Sequence, residues 1–189
     1  MRLVLATRNE HKLRELGEIL DGVALEPLAE DVELPPETGE TFAENALIKA
    51  RFAATATGRP AIADDSGIEA AALGGGPGVR SARYAGETAS DGENLDKLRA
   101  EVPPGTGLRY VCVVAFVEPG EEERVAEGRC EGRMADAPRG ERGFGYDPVF
   151  VPADGDGTRT MAELSDEEKD RISHRGRAVR EAAAWLPSR

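Results

Sequence analysis

Two adjacent carboxylates, Asp64 and Asp65, follow the short apolar run Ala61-Ile62-Ala63 and precede Ser66-Gly67. Acidic oxygens delivered to the end of a buried strand suit a hard divalent cation. Magnesium takes one or two carboxylates and fills the rest of its shell from water or phosphate. Successive strand residues point to opposite faces, so only one of the pair would reach such a metal unless a turn at Ser66-Gly67 intervened. The same residues suit an ordinary turn capped by its own side chains. Taken alone, the pair leaves these two readings level.

Three other polar clusters stand where backbone can approach a ligand. Thr7-Arg8-Asn9-Glu10-His11-Lys12 joins an apolar run to a helical pattern. Two cations and short hydrogen-bonding side chains there meet a helix N-terminus, whose free N–H groups and dipole favour phosphate. The plain alternative is a capped helix with solvated charges. Gly143-Phe144-Gly145-Tyr146-Asp147-Pro148 sets two aromatics and a carboxylate among small residues. A flat ring could stack on Phe144 there, although taken alone the segment reads better as an ordinary glycine turn with a packed aromatic. Its glycines do not make a dinucleotide fingerprint, since the third glycine and the following helix are missing, and the chain has no Walker A motif. Lys169 and Ser173-His174-Arg175-Gly176 form the last cluster; a His-Arg pair at a helix start is mostly a surface feature, but placed near a purine both side chains could donate to a 6-keto oxygen. The chain has only two histidines, which excludes a histidine-rich metal site.

These clusters need a frame. Residues 3–7 are apolar and read as a buried strand; Leu13, Leu16, Ile19 and Leu20 then recur at helical spacing, capped by Asn9 or Thr7 and stopped at Asp21-Gly22. Residues 23–28 suit a second strand. Thr41-Phe42-Ala43-Glu44 is a capping box that opens an alanine-rich helix running to Gly58, with Asn45 and Lys49 on one face. The strand at 61–63 is expected to end at the paired aspartates. Ser90 suits a cap for a helix carrying Leu95 and Leu98. Residues 109–117 give the strongest strand pattern, with 124–130 as hairpin partner, and 149–151 form a short strand. Ser165 and Ser173 open two final helical segments, the second turning Ala178, Val179, Ala182, Ala183 and Leu186 inward. The mixture is α/β, with one central mixed sheet.

Composition narrows the chemistry. A chain of 189 residues with a formal charge of −12 repels polyanions, which argues against a general nucleic-acid binder but not against one nucleotide. The longest apolar run, 110–117, is far too short to span a bilayer. The first residues read as a strand rather than a signal peptide. Cys112 and Cys130 lack the spacing of a disulfide scaffold or zinc site, so a reducing, cytoplasmic setting is expected.

Taken together, the pieces resemble the inosine triphosphatase family, the dITP/XTP pyrophosphatases. The likeness runs almost end to end. It is carried by Thr7-Arg8-Asn9 with Lys12, Glu37-Thr38-Gly39 with Thr41-Phe42, and Glu44-Asn45-Ala46. The central pieces are Ala61-Ile62-Ala63-Asp64-Asp65-Ser66-Gly67 and Gly76-Pro77-Gly78 with Ser81-Ala82-Arg83-Tyr84. Residues 143–148 and Lys169 with Ile172-Ser173-His174-Arg175-Gly176 complete the set. Any one piece is weak; all of them in register are highly specific. Arg8 and His11 stand where the family often has small residues, and Arg80 where relatives often carry a bulky one.

The resemblance implies one domain over residues 1–189, with a mixed central sheet flanked by helices and two lobes with an active-site cleft between them, usually as a homodimer. It implies Mg2+-assisted attack of water on the α-phosphorus of ITP, dITP or XTP, releasing pyrophosphate and cleansing the nucleotide pool of deaminated purines. Asp65 would be the proton acceptor, and Glu37 and Asp65 would help hold magnesium. Thr7, Arg8, Asn9, Glu10, His11 and Lys12 would bind the triphosphate, with Lys49 also reaching it and Ser66 touching the nucleotide. Phe144, Gly145, Tyr146, Asp147, Lys169, His174 and Arg175 would form the base pocket. Rival readings are a septum-inhibitor-like pyrophosphatase of other base specificity and a nucleotide-binding protein without turnover. The motifs at 144–147 and 173–176 favour the purine reading over the first. Intact Lys12, Glu37, Lys49 and Asp65 speak against the second.

Overall fold

The computed structural model describes residues 2–20, 22–29 and 31–186. The apolar start of the chain forms strand β1 (Arg2–Leu5), which leads through residues 6–9 into helix α1 (Glu10–Ile19). Strand β2 (Ala24–Pro27) follows; the expected helix stop at Asp21 lies outside the described residues. Helix α2 (Phe42–Thr57) begins at the capping box of Thr41 and Glu44, and Gly58 ends it at φ 65°, a conformation that costs glycine nothing. Helix α3 (Asp91–Glu101) uses the same device at Ser90 and Glu93, and α4 (Asp166–Ile172) uses it at Ser165 and Glu168. Helix α5 (His174–Ala183) is the last element.

Strand β3 (Ala61–Ala70) departs from the expectation. It does not end at the paired aspartates but runs straight through Asp64-Asp65-Ser66-Gly67 for ten residues. The apolar Ile68 and Ala70 beyond the acidic pair are fully buried, so the burial that favours strand on one side of the carboxylates favours it on the other too. Strands β4 (Gly107–Val117), β5 (Arg124–Met134) and β6 (Phe150–Pro152) follow.

The six strands lie in the order β2-β1-β3-β4-β5-β6. β1 is parallel to β2, with Leu3 beside Leu25, and to β3, with Leu5 beside Ile62; β6 is antiparallel to β5, with Val151 beside Arg133. The sheet is therefore mixed.

The chain forms two compact units. The first comprises Met1–Asp65, Cys112–Gly128 and Arg175–Arg189. Its core joins Leu3, Leu5, Ile62 and Val114 of the sheet to Leu16 and Leu20 near α1 and to Ala178, Val179 and Ala182 of α5. The second comprises Ser66–Val111 and Arg129–His174, with a core of Ile68, Leu98, Leu108, Tyr110, Phe150 and Met161.

Candidate functional site

In the first unit, β3 carries Asp64 and Asp65 side by side, and strand alternation divides their partners. Asp64 is wholly buried. The Lys12 ammonium on α1 lies 3.0 Å from its Oδ2, and Nε and Nη2 of Arg175 on α5 donate to the same oxygen at 3.3 Å. Arg175 also donates to Glu15, a buried acid on α1. Burial alone would raise the Asp64 carboxyl, but Lys12, Arg175 and Lys49 together hold it well below the usual carboxylate range. The neighbouring Cys112 thiol is pushed up to about 12, by burial first and by the Asp64 charge second. It stays neutral and is a packing group rather than a nucleophile.

Asp65 meets a different set. Nδ2 of Asn45 donates to its Oδ2 at 3.1 Å, and the Lys49 ammonium stands 3.7 Å from Oδ1. Both partners lie on α2, one turn apart. Lys49 also donates to Glu37, so one buried cation faces two carboxylates. Asn45 is bonded at both ends, since its Oδ1 accepts the Gly39 N–H at 2.8 Å. The amide thereby ties the loop that carries Glu37 to the strand that carries Asp65. Gly39 makes this approach possible, because a Cβ there would stand 2.7 Å from Asn45 Oδ1 and 2.6 Å from Glu44 Cβ. Burial pushes the Asp65 carboxyl up to about 6; Glu37 adds to the rise, while Lys49, Lys12 and Asn45 oppose it. Burial pulls the other way on Lys49, but Asp65, Asp64 and Glu37 outweigh it and keep the ammonium charged.

At the start of α1, Asn9 rather than Thr7 is the cap. Its Oδ1 accepts the N–H groups of His11 and Lys12 at 2.9 and 3.2 Å, and Thr7 Oγ1 accepts the Asn9 N–H at 3.2 Å. Glu10 and His11 lie on the exposed first turn. Arg8 turns away from that helix: its guanidinium donates to the carbonyls of Leu28, Ala29 and Val32 at 2.8, 2.6 and 2.5 Å, stapling the loop after β2.

The second unit gathers the glycine-rich motif, Lys169 and His174. Asp147 is buried and is the hub of this cluster. Its Oδ2 accepts the Lys169 ammonium at 2.8 Å and the Phe144 N–H at 3.1 Å, and its Oδ1 accepts the Tyr110 hydroxyl at 3.1 Å. The Lys169 ammonium lies 4.9 Å from the Phe144 ring centroid, in cation–π range. His174 is stacked on Tyr110 with ring centroids 4.5 Å apart and planes 9° from parallel. Gly143 has φ +73°, and a Cβ there would stand 2.1 Å from Asp147 Oδ2. Only glycine lets the loop close on that carboxylate. Gly145 gives its N–H to Asp91 at 3.0 Å, and the Tyr146 hydroxyl donates to the Ser81 carbonyl at 2.7 Å. These two residues thus shape the loop from behind. Ser66 is the half-buried residue after Asp65 in β3.

Three supporting residues were given no site role by the sequence reading. Asn45 left a faint signal, its helical spacing from Lys49. Glu15 left another, an acid next to Leu16 on the apolar side of α1. Tyr110 left none, because an aromatic at the start of an apolar strand reads as core.

The sequence model of the Ham1 family matches residues 3–185. A dITP/XTP pyrophosphatase of Symbiobacterium thermophilum is 50% identical, covering 99% of this chain and 95% of its own. One of Frankia alni is 51% identical, covering 98% and 97%. Among solved structures, a HAM1 protein from Coxiella burnetii superposes with a TM-score of 0.86 at 42% identity, covering 98% of each chain.

Proposed function

The chain belongs to the Ham1 family, and on that footing we propose that it hydrolyses the deaminated purine nucleoside triphosphates ITP, dITP and XTP to monophosphate and pyrophosphate. One observation carries the reading: two carboxylates, the buried Asp65 and Glu37, stand around the one Lys49 ammonium, with Asp65 aimed by Asn45 and raised by its burial in the metal-free protein. A base whose pKa lies near neutrality accepts a proton from water most usefully at physiological pH. The curated relatives bear the matching activity in their names.

Asp65 takes the proton from the water that attacks the α-phosphorus. Asn45 aims its carboxylate, and the Glu37 loop is held in register through the same amide. Lys49 and Lys12 offset phosphate charge that would otherwise repel the nucleophile. Asn9 and Thr7 shape the start of α1, where Glu10 and His11 complete the segment assigned to the triphosphate; Arg8, expected there too, instead gives its guanidinium to the carbonyls of Leu28, Ala29 and Val32. Glu37 and Asp65 fit magnesium, since two carboxylates are what that ion commonly takes from a protein when phosphate completes its shell. When bound, it would spread the charge of the departing pyrophosphate.

The base end is assigned to Phe144, Gly145, Tyr146, Asp147 and Lys169, with Ser66 touching the nucleotide. A 6-keto oxygen asks for N–H donors where adenine's amino group would clash, and His174 and Arg175 are the residues assigned to it. Arg175 brings a guanidinium already fixed by Asp64 and Glu15, so whatever donor it presents has a set direction. The same reading makes the protein a cytoplasmic enzyme of nucleotides rather than of nucleic acid or membranes. The charge of −12 supports it, and among the described residues no helix is long and apolar enough to cross a membrane. The homodimer rests on family likeness alone.

The test is direct. Incubation with ITP and Mg2+ should release inosine monophosphate and pyrophosphate in equal amounts, with ATP turned over far more slowly. Release of orthophosphate, or equal turnover of ATP, would refute the assignment.

A further inference from the structure

Tyr110 connects groups of the base cluster that are distant in sequence. It sits on β4, buried, with Phe150 tilted against its ring at 4.4 Å and 33° and His174 stacked on it at 4.5 Å and 9°. A phenylalanine would fill this core equally well, so packing explains the ring but not the hydroxyl. A buried hydroxyl is costly unless bonded, and this one donates to Asp147 Oδ1 at 3.1 Å. Burial, reinforced by the Asp147 charge, raises the phenol well above its ordinary value. It therefore keeps its proton and acts as a donor throughout the physiological range. Asp147 in turn holds the Phe144 N–H and the Lys169 ammonium with its other oxygen. With Oδ1 released, the carboxylate can turn about its terminal torsion, which is soft for Asp, and the Phe144 backbone and Lys169 turn with it.

We propose that Tyr110 is a positioning residue for purine selection, its hydroxyl fixing Asp147 and through it Phe144 and Lys169, and its ring fixing the plane of His174. This rests on the assignment of Phe144, Asp147, Lys169 and His174 to the base.

The experiment measures kcat and KM for ITP and ATP, together with thermal midpoints, for the wild type and four variants. These are Tyr110→Phe, Phe150→Leu, Asp147→Asn and the Tyr110→Phe, Asp147→Asn double variant. Tyr110→Phe should raise KM for ITP about tenfold, as expected for one lost hydrogen bond to a charged group. It should leave kcat for ITP within about twofold and lower the ITP-to-ATP ratio of kcat/KM. Phe150→Leu loosens the same core but keeps the backbone bond from the residue 150 N–H to the Asp147 carbonyl and leaves the Asp147 carboxylate its Tyr110, Phe144 and Lys169 partners; it should lower the midpoint and leave that ratio in place. In the Asp147→Asn background, Tyr110→Phe should add nothing, because the two act in series. An unchanged ratio in Tyr110→Phe, an equal shift in Phe150→Leu, or multiplying effects in the double variant would each overturn the proposal. The underlying base assignment fails separately, if Asp147→Asn alone leaves KM for ITP and the ratio untouched.

Discussion

Replacing Asp65 with asparagine should destroy turnover and at the same time stabilise the metal-free protein at neutral pH. The two effects have one source. The carboxyl rises from its ordinary 3.8 to about 6 because burial disfavours its charged form and Glu37 repels it. A group whose folded-state pKa is raised contributes stability that is complete below the unfolded value and is lost as pH climbs through the folded one. At pH 7 the wild type has lost that contribution. The loss comes to about 3 kcal/mol, at about 1.4 kcal/mol for each pH unit. Asparagine is neutral at every pH, and it still offers Asn45 an acceptor, while Lys49 retains Glu37. The variant should therefore gain about 2–3 kcal/mol at pH 7, or roughly 5–10 °C in melting temperature for a chain of this size. Turnover of ITP should fall about 10²–10⁴-fold with the loss of the general base.

Thermal melts of both proteins in chelator, taken from pH 4 to pH 8, check the argument. The gap should be widest at pH 7 and above, narrow through pH 6, and close near pH 4, where the wild type is itself protonated. Mg2+ added at pH 7 should raise the wild-type midpoint more than the variant's, since binding to the folded state stabilises it. Two results would refute the reasoning: a variant less stable than wild type in chelator at pH 7, or a gain that acid does not erase. Wild-type turnover in the variant would remove Asp65 from the mechanism altogether.

The other carboxylate should behave in the opposite sense. Asp64→Asn leaves Lys12 and Arg175 facing a neutral group in the core, and denaturant titration should register a loss of about 3–5 kcal/mol. Because the Asp64 carboxyl is held below the ordinary range, its stabilisation in the wild type is present above that range and fades only as pH falls well beneath it. Gly143→Ala must adopt φ +73° and push a methyl group into Asp147 Oδ2; it should lower the melting temperature and raise KM for ITP, with kcat the less affected. Asn45→Ala cuts the link between Gly39 and Asp65, and a titration of activity against Mg2+ should shift to higher concentration by about tenfold for the lost charged hydrogen bond. Arg175→Ala should reduce the preference for ITP and XTP over ATP when the turnover of each is compared; an unchanged preference would detach Arg175 from the base.

Much of the fold could be read in advance because its signals are local. The capping boxes at Thr41 and Ser165 and the cap at Ser90 each start a helix, and the apolar runs at 3–5 and 110–117 lie in strands. The error at β3 came from treating Asp64-Asp65-Ser66-Gly67 as punctuation, since such residues usually end strands. Here long-range partners satisfy the carboxylates: the cations Lys12 and Arg175 for one, the Asn45 amide and the Lys49 cation for the other. Nothing local could disclose that Arg175 lies beside Asp64, 111 residues away. The engagement of Arg8 with three carbonyls is hidden for a similar reason, because backbone acceptors leave no trace in sequence. Tyr110 is the extreme case, a residue whose ring obeys the core pattern while its one polar atom serves the neighbouring cluster.

The continuous strand also gives the paired aspartates their division of labour. A turn at that point would have let both side chains converge on one partner, and two carboxylates sharing one environment compete for the same proton. Alternation in β3 instead sends Asp64 toward Lys12 and Arg175, which with Lys49 hold it ionised against its burial, while burial first and Glu37 next raise Asp65 to about 6 against the pull of Lys49. Neighbours in sequence thereby acquire separated proton affinities, the condition under which one carboxylate anchors charge while the other moves a proton. Ile68 and Ala70 are buried beyond the pair, which favours continuing the strand past it. By favouring strand across this segment, the apolar residues after the acidic pair are thus part of what sets the proton affinity of Asp65.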